Sequence, residues 1–287
     1  MIVDIYEYFK RHPKFNKRIG NNFLLVEYKC PLNVEEFQLW TESHLITYVI
    51  SGKKDWITPG KTYSLTEGKA IFVKKGVYTT KQYMDNDYCV MLFFMNDDFI
   101  KDFIAENLLG TDNESAVSTE SNVTLIHTDH YFETLVNSIF NYLKLGESIP
   151  QNLVEIKFKE LLFNITLNPR NKEFQTMIRN IGQSVKSSMQ YVMDRNFQYD
   201  LPISAFAKLC GRSLSSFKRD FKSHFGTTPA KWLIDKRLSY AKTLLRSTEL
   251  NVNQVCYESG FKNSSHFIKS FKNHFKLTPN QFKSSAN

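Results

Sequence analysis

No stretch of this chain approaches the ~18 consecutive apolar residues that a membrane-spanning helix needs. The first residues mix acids and bases among the apolar ones, so no secretory signal pattern opens the sequence. Cysteine is scarce: Cys30, Cys89, Cys210 and Cys256, none of them in a Cys-x-x-Cys pair. Free, buried thiols in a reducing compartment are the simplest reading. Acids are short in one part only. Residues 180–287 hold 17 Lys and Arg against 6 Asp and Glu, a net +11, whereas the remaining 20 and 23 give −3. A chain of 287 residues is long enough for two domains. The positive charge therefore belongs to one of them, as in a phosphate-contacting domain. The expectation is a cytoplasmic protein without a membrane partner.

What is present is a repeat. Phe217, Phe221, Phe225 and Pro229 recur at Phe267, Phe271, Phe275 and Pro279, each 50 positions on. A constant offset over four positions marks an internal duplication. In the first copy, Ile203, Phe206, Ala207 and Cys210 share one helix face. Gly211 suits a tight turn, and Ser213 suits the cap of a second helix. That second helix buries Leu214, Phe217 and Phe221, which turns Ser215, Lys218, Arg219 and Lys222 outward at 100° per residue. In the second copy, Val252, Val255 and Cys256 begin a helix, Gly260 makes the turn and Asn263 is the cap. Phe267 and Phe271 are buried, and Ser265, Ile268, Lys269 and Lys272 face out. Each copy reads as a helix-turn-helix with a basic, polar outer face, as a helix in a DNA major groove requires.

Leu233, Ile234, Leu238, Ala241, Leu244 and Leu245 make a helical stripe between the copies. A helix over 230–246 spans about 25 Å at 1.5 Å per residue. It could hold two reading helices roughly one DNA turn apart, ~34 Å. A lone basic helix is usually a solvated face and a lone Phe stripe is usually core. The Phe residues are core here too; the pairing of two basic faces is what favours DNA.

Arg237-Leu238, Ala241 and Leu244-Leu245, followed by Val255-Cys256, Gly260-Phe261, Phe267, Phe271, Phe275 and Thr278-Pro279, resemble the AraC/XylS family of bacterial transcription regulators. The resemblance spans about 184–283. His266, Cys256 and Lys276 stand where that family usually has Tyr, Ala and Gly. The resemblance implies base contacts from Ser215, Lys218 and Arg219 in the first copy, and from Ser264, Ser265, Ile268 and Lys269 in the second. Ser213, Lys222, Asn263 and Lys272 are the expected phosphate contacts. Arg219 is the best candidate for a bidentate guanine contact, and Ile268 suits a thymine methyl.

The first part of the chain reads differently. Residues 1–22 mix an amphipathic stretch with a basic one, an arm or a first strand. Apolar runs at 23–26, 45–50, 70–73 and 89–94 are separated by Gly-containing turns at 51–53, 58–61, 66–69 and 75–76. This spacing predicts a small antiparallel barrel or jelly roll, and 44–76 resembles the cupin-like sensor domain of the same family. A metal-dependent cupin enzyme needs a His-x-His pair with a Glu and a further His. Only His44 lies among the strands, so neither an enzyme nor a metal site nor a cofactor is expected. Asp97, Asp98, His127 and His130 read as cap and surface groups. Tyr48, Trp56, Phe72, Tyr78 and Phe93 either line a pocket or are plain core. A short helix over 96–109, capped by Asn96 or Asp97, precedes a polar loop at 110–122. Two amphipathic helices follow, one carrying Phe132 to Leu143 and one carrying Leu153, Ile156, Leu161, Leu162 and Ile165. In the family, helices here support dimerisation; packing within one chain is the alternative. The run 168–172 breaks the helix and reads as the linker. A helix over 184–196, with Val185, Met189, Val192 and Met193 inward, opens the next domain.

The fold class expected is α+β: a cupin-like β-barrel followed by helices over 1–169, then an all-α double helix-turn-helix domain over 180–287. The function implied is a sequence-specific DNA-binding regulator, an activator working through RNA polymerase. A small-molecule effector gates it; the alternatives are an inhibitory protein partner or no gate at all. No effector-binding residue is identified.

Overall fold

The computed structural model describes residues 2–29, 35–58, 60–83, 88–106, 121–145, 150–183 and 189–284. Cys30, Pro59, residues 110–120 of the loop expected over 110–122, the joint at 146–149 and the start of the helix expected from 184 lie outside them. The chain divides into two units, Met1–Val185 and Lys186–Asn287.

The first unit opens with β1 (Ile2–Asp4), α1 (Ile5–Arg11) and β2 (Lys17–Ile19). Of the two readings of this stretch, a first strand is present, followed by a helix and a second strand. Next come β3 (Phe23–Lys29), β4 (Glu36–Thr41), β5 (His44–Ser51), β6 (Lys53–Thr58), β7 (Lys61–Thr66), β8 (Ala70–Val73), β9 (Gly76–Gln82) and β10 (Cys89–Met95). α2 (Asp97–Glu106), β11 (Val123–Ile126), α3 (His130–Lys144), α4 (Gln151–Leu167) and α5 (Lys172–Gln183) complete it. The strands form two sheets, ordered β1-β4-β9-β6-β7 and β11-β8-β5-β10-β3-β2. Only the β1–β4 pair is parallel among the pairs described. The tight connections use glycine where the backbone turns left-handed, as at Gly52 (φ 84°) and Gly68 (φ 76°).

The six-stranded sheet is covered on both faces. Leu24, Val26, Leu45, Val49, Ile71, Val73, Val90, Leu92 and Phe94 point into the interior between the sheets. The alternate residues Phe23, Leu25, Ile46, Ala70, Phe72, Met91, Phe93 and Met95 pack under α2, α3, α4 and α5. Strands buried on both sides read as unbroken apolar runs, and these are the four runs visible in the sequence. The other sheet mixes polar and apolar residues, so β4, β6, β7 and β9 carry no such signal. The aromatic set divides accordingly: Phe72 and Phe93 lie in the helix-side core with Tyr48 at its edge, and Trp56 and Tyr78 lie between the sheets.

Two expectations about helices change. Ile156 is not inward but 57% exposed; the buried stripe of α4 is Val154, Phe158, Leu161, Leu162 and Ile165. The break at 168–171 is real, a 3-10 turn with Asn168 accepting from the Arg170 N–H, but it is no linker. Asn171 is buried and donates to the Ile165 carbonyl, and Phe174, Met177 and Ile178 of α5 enter the same core. The first unit thus runs to 185, past the boundary at 169 that proline suggested, because α5 carries an apolar face that only this core covers.

The second unit is helical: α6 (Met189–Asn196), α7 (Ile203–Leu209), α8 (Leu214–Phe225), α9 (Pro229–Ser247), α10 (Val252–Glu258), α11 (Ser264–Phe275) and α12 (Pro279–Ser284). Val192 and Met193 face inward as expected, and Met189 is half-buried.

His44, at the start of β5, is buried and stacks on Phe72. The Lys75 backbone N–H donates to its Nδ1 at 3.3 Å, which leaves Nε2 to donate to Asp97 at 2.9 Å. The Lys75 ammonium reaches the other Asp97 oxygen at 2.6 Å. Asp97 is therefore a buttress for the first turn of α2, and Asn96 is its cap, accepting from the Phe99 N–H. Burial pushes the His44 pKa below its ordinary value, and Lys75 and Lys74 add to this against Asp97. Burial opposes ionisation of Asp97, but His44 and Lys75 more than offset it and hold the carboxyl well below the usual range. The unfolded chain protonates His44 below about pH 6.5 while the folded chain resists, so stability falls as pH drops from there. His44→Gln is expected to flatten the fall in urea midpoint, followed by Trp fluorescence, between about pH 6.5 and 5. A fall as steep as in the unsubstituted protein would assign the acid sensitivity elsewhere.

Candidate nucleic-acid interface

Each repeat folds as the local sequence dictates. α7 ends at Cys210, and Gly211 turns the chain at φ 63°. Ser213 caps α8, its Oγ accepting from the Ser216 N–H at 3.2 Å. In the second copy, Asn251 and Gln254 form a reciprocal capping box on α10. Gly260 turns at φ 91°, and Asn263 caps α11 by accepting from the His266 N–H at 3.0 Å. Phe217 and Phe221 are buried in the first copy, Phe267 and Phe271 in the second. Leu214 is 40% exposed rather than buried. It occupies the first position of α8, and helical side chains lean toward the N-terminus, so it projects past the end of the packed face.

Ser213, Ser215, Lys218, Arg219 and Lys222 all lie exposed along α8. Asn263, Ser265, Ile268, Lys269 and Lys272 lie exposed along α11, and Ser264 is half-buried at its first turn. The structure thus gathers each set on one side of its own helix. The two sides differ in charge. Asp220 sits beside the first set and receives the Arg219 guanidinium at 3.2 Å and the Arg212 Nε at 3.6 Å. Ser216 and Arg219 donate to it and Arg212 adds charge, which holds the Asp220 pKa low although desolvation opposes this. At the matching position of the second copy stands Ser270, which pairs with His266. The free protein therefore parks Arg219 against its own helix, whereas no acid accepts Lys269 among the described residues.

α9 joins the copies over 19 residues, about 28 Å at ~1.5 Å each. Thr228 caps it, with Pro229 at its first turn. Its Arg237 is half-buried against the turn between α6 and α7. Nε donates to the Phe197 carbonyl at 2.6 Å and Nη2 to the Tyr199 carbonyl at 2.9 Å. Gly260 closes on the same turn: a Cβ there would meet the Gln198 carbonyl oxygen at 2.6 Å and Arg237 Nε at 3.0 Å. Lys262 pairs with Asp200 at 2.6 Å across this seam. Periodicity identified none of Arg212, Asp220 or the seam. Asp220 alone carried a signal, as the one acid in an otherwise basic helix.

The comparisons with known proteins follow the same division. The ExsA N-terminal regulatory domain matches residues 44–177, and a helix-turn-helix domain matches residues 206–285. The chain belongs to the AraC family of transcription regulators. Its relatives include the thermoregulatory protein LcrF of Yersinia pestis, 24% identical over 81% of this chain and 86% of LcrF. They also include the virulence regulon transcriptional activator VirF of Yersinia enterocolitica, 23% identical over 81% of this chain and 86% of VirF. A crystal structure of ToxT from Vibrio cholerae aligns over 92% of this chain and 98% of ToxT, at 14% identity and a TM-score of 0.41. An AraC-type regulator binds DNA through its helix-turn-helix domain, and here that domain carries the two exposed faces of α8 and α11.

Lys276 ends α11 in the left-handed region, φ 65°, where the first copy has Gly226 at φ 68°. Lys276→Gly is expected to stabilise the second unit by about 1 kcal/mol, measured by hydrogen exchange of the α10–α12 amides. Gly260→Ala should destabilise it by at least ~2 kcal/mol, because a strained φ adds to a backbone clash. Gly211→Ala, at φ 63° with open space around it, should cost only the strain. Equal losses at the two glycines would remove the seam from the account.

Proposed function

We propose that this AraC-type regulator activates transcription by seating α8 and α11 in successive major-groove segments of a promoter and engaging RNA polymerase there. The observation that carries the reading is the duplication of an exposed cationic and polar helix face on two capped helices joined by one rigid rod. Arg219 grips a base, with Ser215 and Lys218 beside it. Ser264, Ser265, Ile268 and Lys269 read the second segment. Ser213, Lys222, Asn263 and Lys272 hold phosphates. Release of Arg219 from Asp220 accompanies binding, an exchange of one exposed ion pair for a base contact. VirF is named an activator, which supports activation as the sign of control.

The first unit acts as the sensor in this proposal, and a small molecule is the effector. A cavity between the two sheets with a few converging polar groups favours this over control by an inhibitory protein. Self-association uses α3 and α4, which carry the exposed apolar residues Tyr131 and Ile156. The protein works in the cytoplasm; no described helix is long and apolar enough to cross a membrane.

Arg219→Ala is expected to weaken promoter binding by about 1–3 kcal/mol and to relax preference at a single base position. Selection from a randomised duplex library reads this out, and uniform weakening on all sequences would make Arg219 a phosphate contact. Lys272→Ala should flatten the slope of log affinity against log salt by about one. An unchanged slope in fluorescence anisotropy titrations would reject that role.

A further inference from the structure

The two reading helices differ most beside one matched cation. Arg219 and Lys269 correspond at the offset of 50, but Asp220 follows the first and Ser270 the second. Asp220 is the one acid of α8, and α11 has none. The carboxylate is held through one of its oxygens. Arg212 donates from Nη1 to the Cys210 carbonyl at 3.2 Å, which ties it to the turn before α8. Its Nε lies 3.6 Å from Asp220 Oδ2, and the Ser216 hydroxyl donates to that same oxygen at 3.1 Å. The Arg212 side chain is only 15% exposed, so this anchor is shielded from water.

The other oxygen serves Arg219. Nε and Nη2 lie 3.3 and 3.2 Å from Asp220 Oδ1, so one acceptor occupies a whole edge of the guanidinium. The Arg219 side chain is 76% exposed, on the side of α8 that carries Ser215, Lys218 and Lys222. Magnitudes decide what such a pair can do. An exposed ion pair changes an equilibrium by at most about fivefold. A single phosphate contact gains about eightfold between ~1 M and ~0.1 M salt. A bidentate guanine contact discriminates by roughly five- to a hundredfold. Asp220 therefore comes close to matching a phosphate and loses to a base. Lys269 meets no such competitor among the described residues.

We propose that Asp220 is a positioning residue that sets sequence specificity: it keeps Arg219 off the phosphates of a duplex that offers no matching base, and yields it to one that does. The inference rests on the reading above that Arg219 meets a base. Non-specific binding consists almost wholly of phosphate contacts. Withholding one cation from phosphates therefore widens the ratio between the cognate and a random duplex. Opening the pair also weakens the cognate complex, by the factor the pair is worth. Specificity here comes from opposing the wrong partner rather than from gripping the right one harder. Only the first reading helix carries this device, since Ser270 leaves Lys269 open to any phosphate.

The test uses the full chain and two duplexes of equal length and composition, one enriched by selection from a randomised library and one scrambled. Anisotropy titrations over ~0.05–0.3 M salt give the slope of log affinity against log salt for each. Asp220→Asn should steepen the slope on the scrambled duplex by about one, as one more phosphate is met, and leave that on the enriched duplex unchanged. The ratio of the two affinities at ~0.1 M salt should fall at least about threefold. On an Arg219→Ala background the change in slope from Asp220→Asn should be at most about half as large. Ser270→Asp, the reciprocal exchange, should engage Lys269 and flatten the scrambled slope by about one. It decides the matter should Asp220→Asn lose its near-ultraviolet circular dichroism. Equal shifts on both duplexes, unchanged slopes, or a full shift without Arg219 would overturn the proposal; the last would make Asp220 a plain repellent of DNA. A base preference that Arg219→Ala abolishes, with slopes indifferent to Asp220→Asn, would keep the base contact and remove the role of Asp220. No preference of the unsubstituted chain for the enriched duplex would overturn both.

Discussion

The DNA-binding unit depends on one half-buried cation. Arg237 belongs to the rod α9, yet its guanidinium is spent on the Phe197 and Tyr199 carbonyls of the turn that leads into the first helix-turn-helix. The cation satisfies the Phe197 carbonyl and joins the Leu201 N–H on the Tyr199 carbonyl, both just past the end of α6. Burial lowers the Arg237 pKa, with Asp200 opposing, and a guanidinium stays charged regardless. Gly260 of the second repeat lands on the same turn with no room for a methyl group. The two repeats are therefore coupled through the 197–199 turn, the Arg237 side chain and the Gly260 backbone, not only through a connecting helix. Such a seam holds the spacing of α8 and α11 more tightly than a connecting helix alone would.

The repeats are copies in architecture but not in detail. Second helices and their aromatic cores match at an offset of 50, whereas the turn glycines Gly211 and Gly260 match at 49. The stretch from the turn glycine to the first buried Phe of the second helix, Phe217 or Phe267, is thus one residue longer in the second copy. Charge diverges as well. The first reading helix carries Lys218 and Arg219 tempered by Asp220; the second carries Ile268 and Lys269 with Ser270 in the acid's place. In the reading advanced here the first helix supplies hydrogen-bonded readout and the second mixes charge with an apolar contact, so the two half-sites need not share a sequence.

The first unit is organised by the opposite constraint, the burial of a sheet on both faces. Its six-stranded sheet has no wet side, which requires α2 to α5 as a cover and draws α5 away from the linker. The His44–Asp97–Lys75 cluster pins the first turn of that cover to the strands. Among the described residues, Lys54 is a buried charge that lies over the rings of Phe37, Tyr88 and Trp56. Polar groups retained in an apolar interior are commonly there for what they bind.

Much of this was legible in the residues themselves. The strands buried on both faces announced themselves as apolar runs, and the helix-turn-helix pair by caps, turn glycines and a Phe stripe at fixed spacing. Those signals are local: each lies within one or two turns of chain, where steric and hydrogen-bonding rules act directly. The outward faces of α8 and α11 followed from the same periodicity. What periodicity could not show was every feature made by contact between distant segments. The polar strands of the second sheet owe their place to cross-strand pairing, and α5 owes its domain to a core elsewhere in the chain. Ile156 and Leu214 are exposed because nothing packs over them, which no window of sequence reports. The pairing of Arg219 with Asp220, the seat of Arg237 and Gly260 on one turn, and the stacking of Lys54 on aromatic rings arise from geometry alone. The sequence by itself determined the kinds of helices and turns and the side of each that faces out; the tertiary structure decided which of those sides meet, because burial is a property of neighbours and not of the chain that carries them.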